Sequence, residues 1–136
     1  MSHTCSTALV RCMDFRLGEP IRDFMNREFL YGNTDIIAIA GAARDVSQSD
    51  NSAVEQQIDL SVQLHQIQNL VLMNHTDCGA YGGRPSFESH DAERTQHLAD
   101  MQAAKAKLQA KYPELNIRLV LADIEDNGSI VIADVE

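Results

Sequence analysis

The sequence predicts an α/β fold with a central, mostly parallel sheet of about four strands flanked by helices, and a C-terminal antiparallel edge strand. Short runs of aliphatic and β-branched residues alternate with helical patterns, which is typical of buried strands joined by helical crossovers. Near the C-terminus, Asn127 and Gly128 separate two apolar runs, and an Asn-Gly pair in that position is a strong hairpin signal. The last strand is therefore expected to run antiparallel to its neighbour.

Four runs have the length and composition of strands that are covered on both faces. They are TALVRC (7–12), DIIAIAG (35–41), NLVLMNH (69–75) and IRLVLADI (117–124). Since helical segments connect them, the crossovers are expected to be right-handed and the strands parallel. Their C-terminal ends then lie at one edge of the sheet, where open α/β sheets bind ligands.

Three stretches between the strands have the apolar periodicity of amphipathic helices. The helices are expected over residues 20–31, 52–68 and 91–112. Pro20 favours the start of the first helix and Gly32 is expected as its C-terminal cap, while Pro113 favours the end of the third. The segments 41–51 and 79–91 lack this periodicity and are predicted to be loops.

The composition suits a single domain over residues 1–136, with 44% hydrophobic and 23% charged residues. No apolar run approaches the roughly 18 residues that a membrane helix needs. The N-terminus lacks a basic segment followed by an apolar one, so no export signal is recognised and a cytoplasmic location is expected.

The charge and cysteine content narrow the expected partners. Eleven basic and twenty acidic side chains give a net charge of −9 without any basic block, so neither nucleic acid nor a membrane surface is expected as a partner. Three cysteines without an export signal do not suggest a disulfide framework, and metal binding or catalysis is the better use for them. Because an isolated chain of this type would expose a large apolar face, a homodimer or higher homo-oligomer is expected.

Polar, metal-binding side chains follow two of the predicted strands. The first strand ends in RCMDFR and the third in NHTDCG. Neighbouring strands lie about 4.8 Å apart, so Cys12, His75 and Cys78 are expected to converge at the sheet edge. Two thiolates and one imidazole prefer zinc, and three protein ligands leave a fourth position for water, as catalytic zinc sites do. The sequence therefore predicts a catalytic zinc site.

Asp14 and Arg16 fit this site. If the strand continues, Cys12, Asp14 and Arg16 project to one side of it. The Asp14 carboxylate can either accept a hydrogen bond from a zinc-bound hydroxide or become the fourth ligand, and the fork-shaped Arg16 guanidinium can hold it in place. Taken without the zinc ligands, the two residues would be read as an ordinary surface ion pair.

Other residues near these motifs have simpler interpretations. Cys5 is predicted to be a small buried apolar side chain. Asp77 is expected to cap the following turn in preference to a catalytic role. No nucleotide-binding motif surrounds Gly79, Gly82 and Gly83, so these glycines are expected to permit tight turns.

With these residues placed, the sequence resembles the β-class carbonic anhydrases. The two signatures of that family, CxDxR and HxxC, occur at residues 12–16 and 75–78, and the resemblance extends over about residues 7–83 and the closing hairpin. It implies that the zinc ligands are Cys12, His75 and Cys78. It also implies that Asp14 and Arg16 form the gating and orienting pair, and that the Gly79 amide helps to position the substrate.

The sequence departs from the family in two respects. Members usually carry Arg-Asn-Ala-Gly after the second strand, whereas this chain keeps Ala40 and Gly41 but has Ile39 in place of Asn. The chain is also short and lacks the N-terminal helices with which typical members embrace a partner subunit. Since part of the family's substrate pocket comes from across the dimer, these departures concern the substrate more than the zinc site.

The expected activity is the reversible hydration of CO2 to bicarbonate by a zinc-bound hydroxide that Asp14 and Arg16 orient. His90 and His97, on the loop and the third helix, are candidates to carry the released proton to solvent, although exposed histidines on helices are commonly idle. Two alternatives remain open from the sequence. The same site would also suit hydrolysis of carbonyl sulfide or carbon disulfide, or a non-catalytic zinc module that Asp14 closes.

Overall fold

A computed structural model describes residues 3–136 and contains one five-stranded sheet. Its strands are β1 (Thr7–Arg11), β2 (Thr34–Ala38), β3 (Asn69–His75), β4 (Asn116–Ile124) and β5 (Ile130–Asp134). They lie in the order β2-β1-β3-β4-β5, with β1 to β4 parallel and β5 antiparallel to β4. The predicted fold class, including the antiparallel edge strand, is confirmed.

Helices cover both faces of the sheet. They are α1 (Gly18–Arg27), α2 (Ala43–Gln48), α3 (Ala53–Leu60) and α4 (His90–Lys111). Helix α1 packs on one face, while α2, α3 and α4 pack on the other. No helix within residues 3–136 is both long enough and apolar enough to cross a membrane.

The central strand β3 shows how the sequence builds two cores. Successive side chains of a strand point to opposite faces, so Leu70 and Leu72 join the core under α2, α3 and α4, whereas Val71 and Met73 join the core under α1. All four side chains are buried, and full burial of a side chain of this size contributes roughly 1.5–3 kcal/mol. A strand covered on both faces needs a continuous apolar run, which is why the sequence reveals it.

Helix α2 lies in the segment 41–51, which was predicted to be a loop, and that prediction is wrong. The helix has only six residues, of which Ala43 and Val46 are buried. Its first amide is capped from a distant part of the chain, since the Ala43 N–H donates to Asn74 Oδ1 at 3.0 Å. A helix this short depends on tertiary contacts, which local periodicity cannot show.

The first two predicted helices also end earlier than expected. Helix α1 ends at Arg27, and Phe29, not Gly32, is the left-handed residue of its C-terminal cap, with φ of 56°. The Leu30 N–H donates to the Met25 carbonyl at 2.9 Å, which completes a Schellman motif. In the second helix, α3 gives way at Ser61–His65 to one turn of π-helix.

Candidate metal centre

Cys12, His75 and Cys78 meet at the C-terminal edge of the sheet, just where β1 and β3 end. Their ligand atoms all lie within 4.8 Å of one another. The exposed fractions of the three residues are only 5%, 1% and 2%. The convergence that the two sequence motifs predict is therefore present.

The orientation of His75 suits a metal ligand. Its Nδ1 lies 2.7 Å from the Thr76 carbonyl oxygen, which can only accept, so Nδ1 carries the proton and Nε2 keeps its lone pair. In the part of the chain that the structure describes, Nε2 is buried and has no hydrogen-bond partner. Zinc bonds of about 2.0–2.3 Å place tetrahedral ligand atoms roughly 3.3–3.8 Å apart, so a zinc ion fits these three atoms after small movements.

The pKa values of Cys12 and Cys78 are shifted in opposite directions. Hydrogen bonding from Cys78 lowers the pKa of Cys12 far below its ordinary value, although burial opposes this, and His75 adds to the lowering. The Cys12 thiolate and burial together raise the pKa of Cys78. A dication between the sulfurs would stabilise both as thiolates, so metal uptake would release a proton here.

The loop after β2 approaches both sulfurs closely. The Gly41 amide contributes hydrogen bonding that lowers the pKa of both Cys12 and Cys78. Gly41 has φ of +83°, and a Cβ at this position would lie 3.1 Å from the Ala80 Cβ. Glycine is therefore required for this loop to contact the cysteine loops. Ile39 precedes it and packs into the core below α2 and α3.

Asp14 and Arg16 come together by a turn and not by the strand continuation that the sequence suggested. Strand β1 stops at Arg11, and Asp14 caps a short 3-10 turn over Phe15–Leu17 by accepting from the Arg16 amide at 2.8 Å. Arg16 Nη2 also donates to Asp14 Oδ2 at 2.8 Å. These hydrogen bonds from Arg16 lower the pKa of Asp14 to about 2. The carboxylate is thus ionised throughout the neutral range, with Oδ2 3.8 Å from His75 Nε2.

Asp77 anchors this pair from the other strand end. Arg16 Nη1 donates to Asp77 Oδ2 at 3.0 Å, and Arg16 Nη2 donates to the Asp77 carbonyl at 2.9 Å. Asp77 Oδ1 accepts from the Arg84 amide at 2.8 Å, which is the turn-capping contact that the sequence suggested. Its own amide donates to the fully buried Glu93 at 2.6 Å. The Asp77 contact with Arg16 was not expected from the sequence.

The two histidines considered for proton transfer differ from the expectation. His97 is fully buried on α4, and burial lowers its pKa to about 4. It accepts from Asn74 Nδ2 through Nδ1 at 3.0 Å, while its Nε2 has no partner among residues 3–136. His90 is partly exposed and contacts Asp123 Oδ1 through Nε2 at 2.9 Å. The assumption that both are exposed and unengaged is therefore wrong.

A buried polar network behind the site was missed from the sequence. Asn74 Nδ2 donates to the Tyr81 hydroxyl at 3.1 Å, and that hydroxyl donates to Asp100 Oδ2 at 2.7 Å. The Tyr81 and His97 rings lie 4.2 Å apart between centroids. The one available signal was Asn74 itself, because a polar residue inside a buried apolar run needs partners.

Together, the fold and the three converging ligands define an α/β protein with a candidate zinc centre at the carboxyl edge of a parallel sheet. A family model described as "Putative carbonic anhydrase" matches residues 1–131, and the chain belongs to this family. The resemblance to carbonic anhydrases stated from the two motifs is thus confirmed.

Individual proteins and solved structures are also similar to this chain. A Rickettsia conorii protein named "Uncharacterized protein RC0076" is 28% identical over 127 residues, which cover 88% of this chain and 68% of that protein. The crystal structure of a Streptococcus mutans carbonic anhydrase gives a TM-score of 0.66 at 20% identity, over 99% of this chain and 84% of that one. A tetrameric β-carbonic anhydrase of Sordaria macrospora gives 0.58 at 16% identity, over 98% and 82%. At these identities the structures establish the fold.

Proposed function

We propose that the protein is a zinc-dependent carbonic anhydrase that catalyses the reversible hydration of CO2 to bicarbonate. The observation that carries the proposal is the convergence of Cys12, His75 and Cys78 within 4.8 Å beside an Asp14 carboxylate held by Arg16. Zinc, when bound by these three ligands, supplies a Lewis acid that lowers the pKa of a coordinated water. Membership of a carbonic anhydrase family supports the choice of substrate.

His75 is prepared for its part by the residues around it. The Thr76 carbonyl accepts a hydrogen bond from His75 Nδ1 and so keeps that nitrogen protonated. Among the described residues, Nε2 of the same ring is left free on the side of Cys12 and Cys78. The Thr76 side chain is in turn held by β4, because its hydroxyl donates to Asp123 Oδ1 at 3.1 Å and accepts from the Ile124 amide at 2.7 Å. A ligand fixed in this way loses little freedom when the metal binds.

Asp14 would act as the acceptor that orients the attacking solvent molecule. Its Oδ2 lies 3.8 Å from His75 Nε2, so it could accept a hydrogen bond from a solvent molecule held beside the three ligand atoms. Arg16 donates to both carboxylate oxygens and is itself held by Asp77, which favours a place for Asp14 beside the three ligand atoms and not among them. This arrangement supports an accessible site over one that Asp14 closes. The Gly79 amide, directly after Cys78, would help to position CO2.

The proposal includes a homodimer or higher homo-oligomer in the cytoplasm. Met13 and Phe15 flank Asp14 and are 69% and 90% exposed, so an apolar surface lies beside the site in the single chain. A second subunit that covers it would also exclude water from the site. Size-exclusion chromatography with light scattering tests the assembly, and cell fractionation tests the location.

The decisive experiment measures zinc content and CO2 hydration against pH in the same preparations. Wild-type protein should hydrate CO2 rapidly, and Cys12→Ser should lose both zinc and activity. Asp14→Asn should keep zinc and lose about a hundredfold or more in kcat/KM, because the solvent molecule is no longer oriented. Asp91→Asn is the matched control, since that side chain is 94% exposed at the start of α4.

Two results would contradict the proposal. Zinc-loaded protein that does not hydrate CO2 at any pH would exclude it. Should such protein release sulfide from carbonyl sulfide, the site would be assigned to that substrate class. X-ray absorption that detects a carboxylate as a persistent fourth zinc ligand at alkaline pH would instead indicate a closed, non-catalytic module.

A further inference from the structure

A second cluster of metal-binding side chains lies at the opposite edge of the sheet. Cys5 precedes β1, Asp35 lies in β2, and His65 ends the π-helical turn after α3; their ligand atoms also lie within 4.8 Å of one another. Cys5 was expected to be a small buried apolar residue, yet it is partly exposed and has these two polar neighbours. Cys5 and Cys12 are seven positions apart along an extended segment, about 20 Å, so the two clusters are separate.

Asp35 is the centre of this cluster. Its Oδ2 accepts from the Ser61 hydroxyl at 2.6 Å and contacts His65 Nδ1 at 2.7 Å. In the described range, 3–136, His65 is its ion-pair partner and no Lys or Arg neutralises it. The carboxylate therefore lies beside a thiol and an imidazole without a strong cation nearby.

The π-helical turn produces this arrangement. Helix α3 widens at Ser61–His65, and both ends of that turn reach the same Asp35 oxygen. The turn ends at Gln66, whose φ of 56° is in the left-handed region. Single π-helical turns are rare and occur frequently at functional sites. This turn is therefore a candidate part of a binding site and not simply a frayed helix end.

A cavity borders the cluster on the side of Asp35 and His65. It has a volume of about 260 Å³. Its lining includes Asp35, Ser61 and His65 together with the apolar Ile36, Leu60 and Leu64. The side chains of Asp35 and His65 are each 28% exposed, so an ion and its waters can reach both without opening the core.

We propose that Cys5, Asp35 and His65 bind a second divalent metal ion of the zinc class. One thiolate, one imidazole and one carboxylate are a donor set that zinc accepts in tetrahedral sites. Water would supply the fourth ligand. Binding replaces the Cys5 thiol proton with a metal–sulfur bond and so releases that proton to solvent. Coordination through His65 Nδ1 would also move the proton of that nitrogen to Nε2 and replace its hydrogen bond to Asp35.

This second site is tested by zinc stoichiometry, which does not depend on the proposed activity. Wild-type protein equilibrated with zinc should hold two ions per chain by mass spectrometry of the metal. Cys5→Ser, Asp35→Asn and His65→Gln should each lose one ion while keeping the far-UV circular dichroism and CO2 hydration of wild type. Thr4→Ala is the matched control, because Thr4 is exposed next to Cys5 and has no place in the donor set.

A measurement on unaltered protein keeps the test independent of variant folding. Zinc should slow alkylation of Cys5, mapped by peptide mass spectrometry, and a chelator should restore it. The proposal is overturned if wild type holds a single ion that Cys5→Ser retains, or if zinc leaves Cys5 alkylation unchanged. If Cys12→Ser loses one ion while zinc still protects Cys5 from alkylation, the lost ion belongs to the proposed catalytic site. The proposed activity and the proposed second site can therefore be refuted independently.

Discussion

His97 should make the protein less stable in acid, and replacing it should remove that dependence. The residue is fully buried on α4, and its Nδ1 accepts from Asn74 Nδ2. Burial lowers its pKa from 6.5 to about 4, and the neighbouring His75 adds to the lowering. Protonating His97 would cost the hydrogen bond from Asn74 and place a charge in the core.

The direction and size of this pH effect follow from the difference in His97 protonation between the folded and unfolded chains. Between pH 6.5 and about 4 the unfolded chain protonates this histidine and the folded chain does not, so the free energy of unfolding falls as the pH decreases. Above pH 6.5 both states are neutral and His97 contributes nothing to the pH dependence. At 1.36 kcal/mol per pH unit, the loss over this window is about 3 kcal/mol.

The assay is urea unfolding of wild type and His97→Gln, followed by far-UV circular dichroism from pH 7 to pH 4. Glutamine can still accept from Asn74 but does not titrate. Acid also protonates the metal ligands in both proteins, so the difference between them isolates His97. That difference should shift by about 3 kcal/mol in favour of the variant on acidification. His90→Gln is the control, and parallel curves for wild type and His97→Gln would refute the reasoning.

Three further predictions concern the site, the core and a helix end. Arg16→Lys should keep zinc but lower kcat/KM for CO2 hydration by about tenfold to a hundredfold, because lysine lacks the fork that holds Asp14. Leu72→Ala should lower the free energy of unfolding by about 2–5 kcal/mol in urea, because it empties a fully buried position of β3. Phe29→Gly should increase the free energy of unfolding by about 0.5–1 kcal/mol and so raise the melting temperature, because glycine accepts the left-handed φ of 56° without strain.

Each of these variants has a control with the same type of substitution at an exposed position. Arg22 lies on the exposed side of α1, so Arg22→Lys should have the same activity as wild type. Leu64→Ala should change stability by no more than about 0.5 kcal/mol, since Leu64 is 62% exposed. Arg22→Gly lies inside α1 and should destabilise, opposite in sign to Phe29→Gly. Equal effects in a variant and its control would contradict the corresponding explanation.

The strands and the convergence of the candidate metal ligands were predictable from the sequence for a physical reason. A strand covered on both faces must be continuously apolar, so β3 is visible as a run that stops at Asn74. Parallel strands end at one edge, so Cys12 and His75 converge once the alternation with helices is recognised. Local periodicity and one topological rule were sufficient for both.

The features that the sequence did not predict depend on tertiary contacts or on local turn geometry. Helix α2 receives its cap from Asn74, 31 positions along the chain, and no local pattern encodes that contact. The Asp14–Arg16 pair forms through a 3-10 turn, although strand alternation would have placed both on one side as well. The burial of His97 follows from the packing of α4 over Tyr81, which helical periodicity alone did not reveal.

The grip of one guanidinium on two carboxylates ties the halves of the centre together. Arg16 holds Asp14 beside the first cysteine and Asp77 beside the second, so it cross-links the chain ends that supply the sulfurs. A change that displaces Arg16 would therefore disturb both segments at once, whereas loss of Asp14 alone leaves Arg16 bonded to Asp77. The position of the Asp14 carboxylate and the placement of the Cys78 loop thus depend on one side chain, which braces two segments 61 positions apart in the sequence.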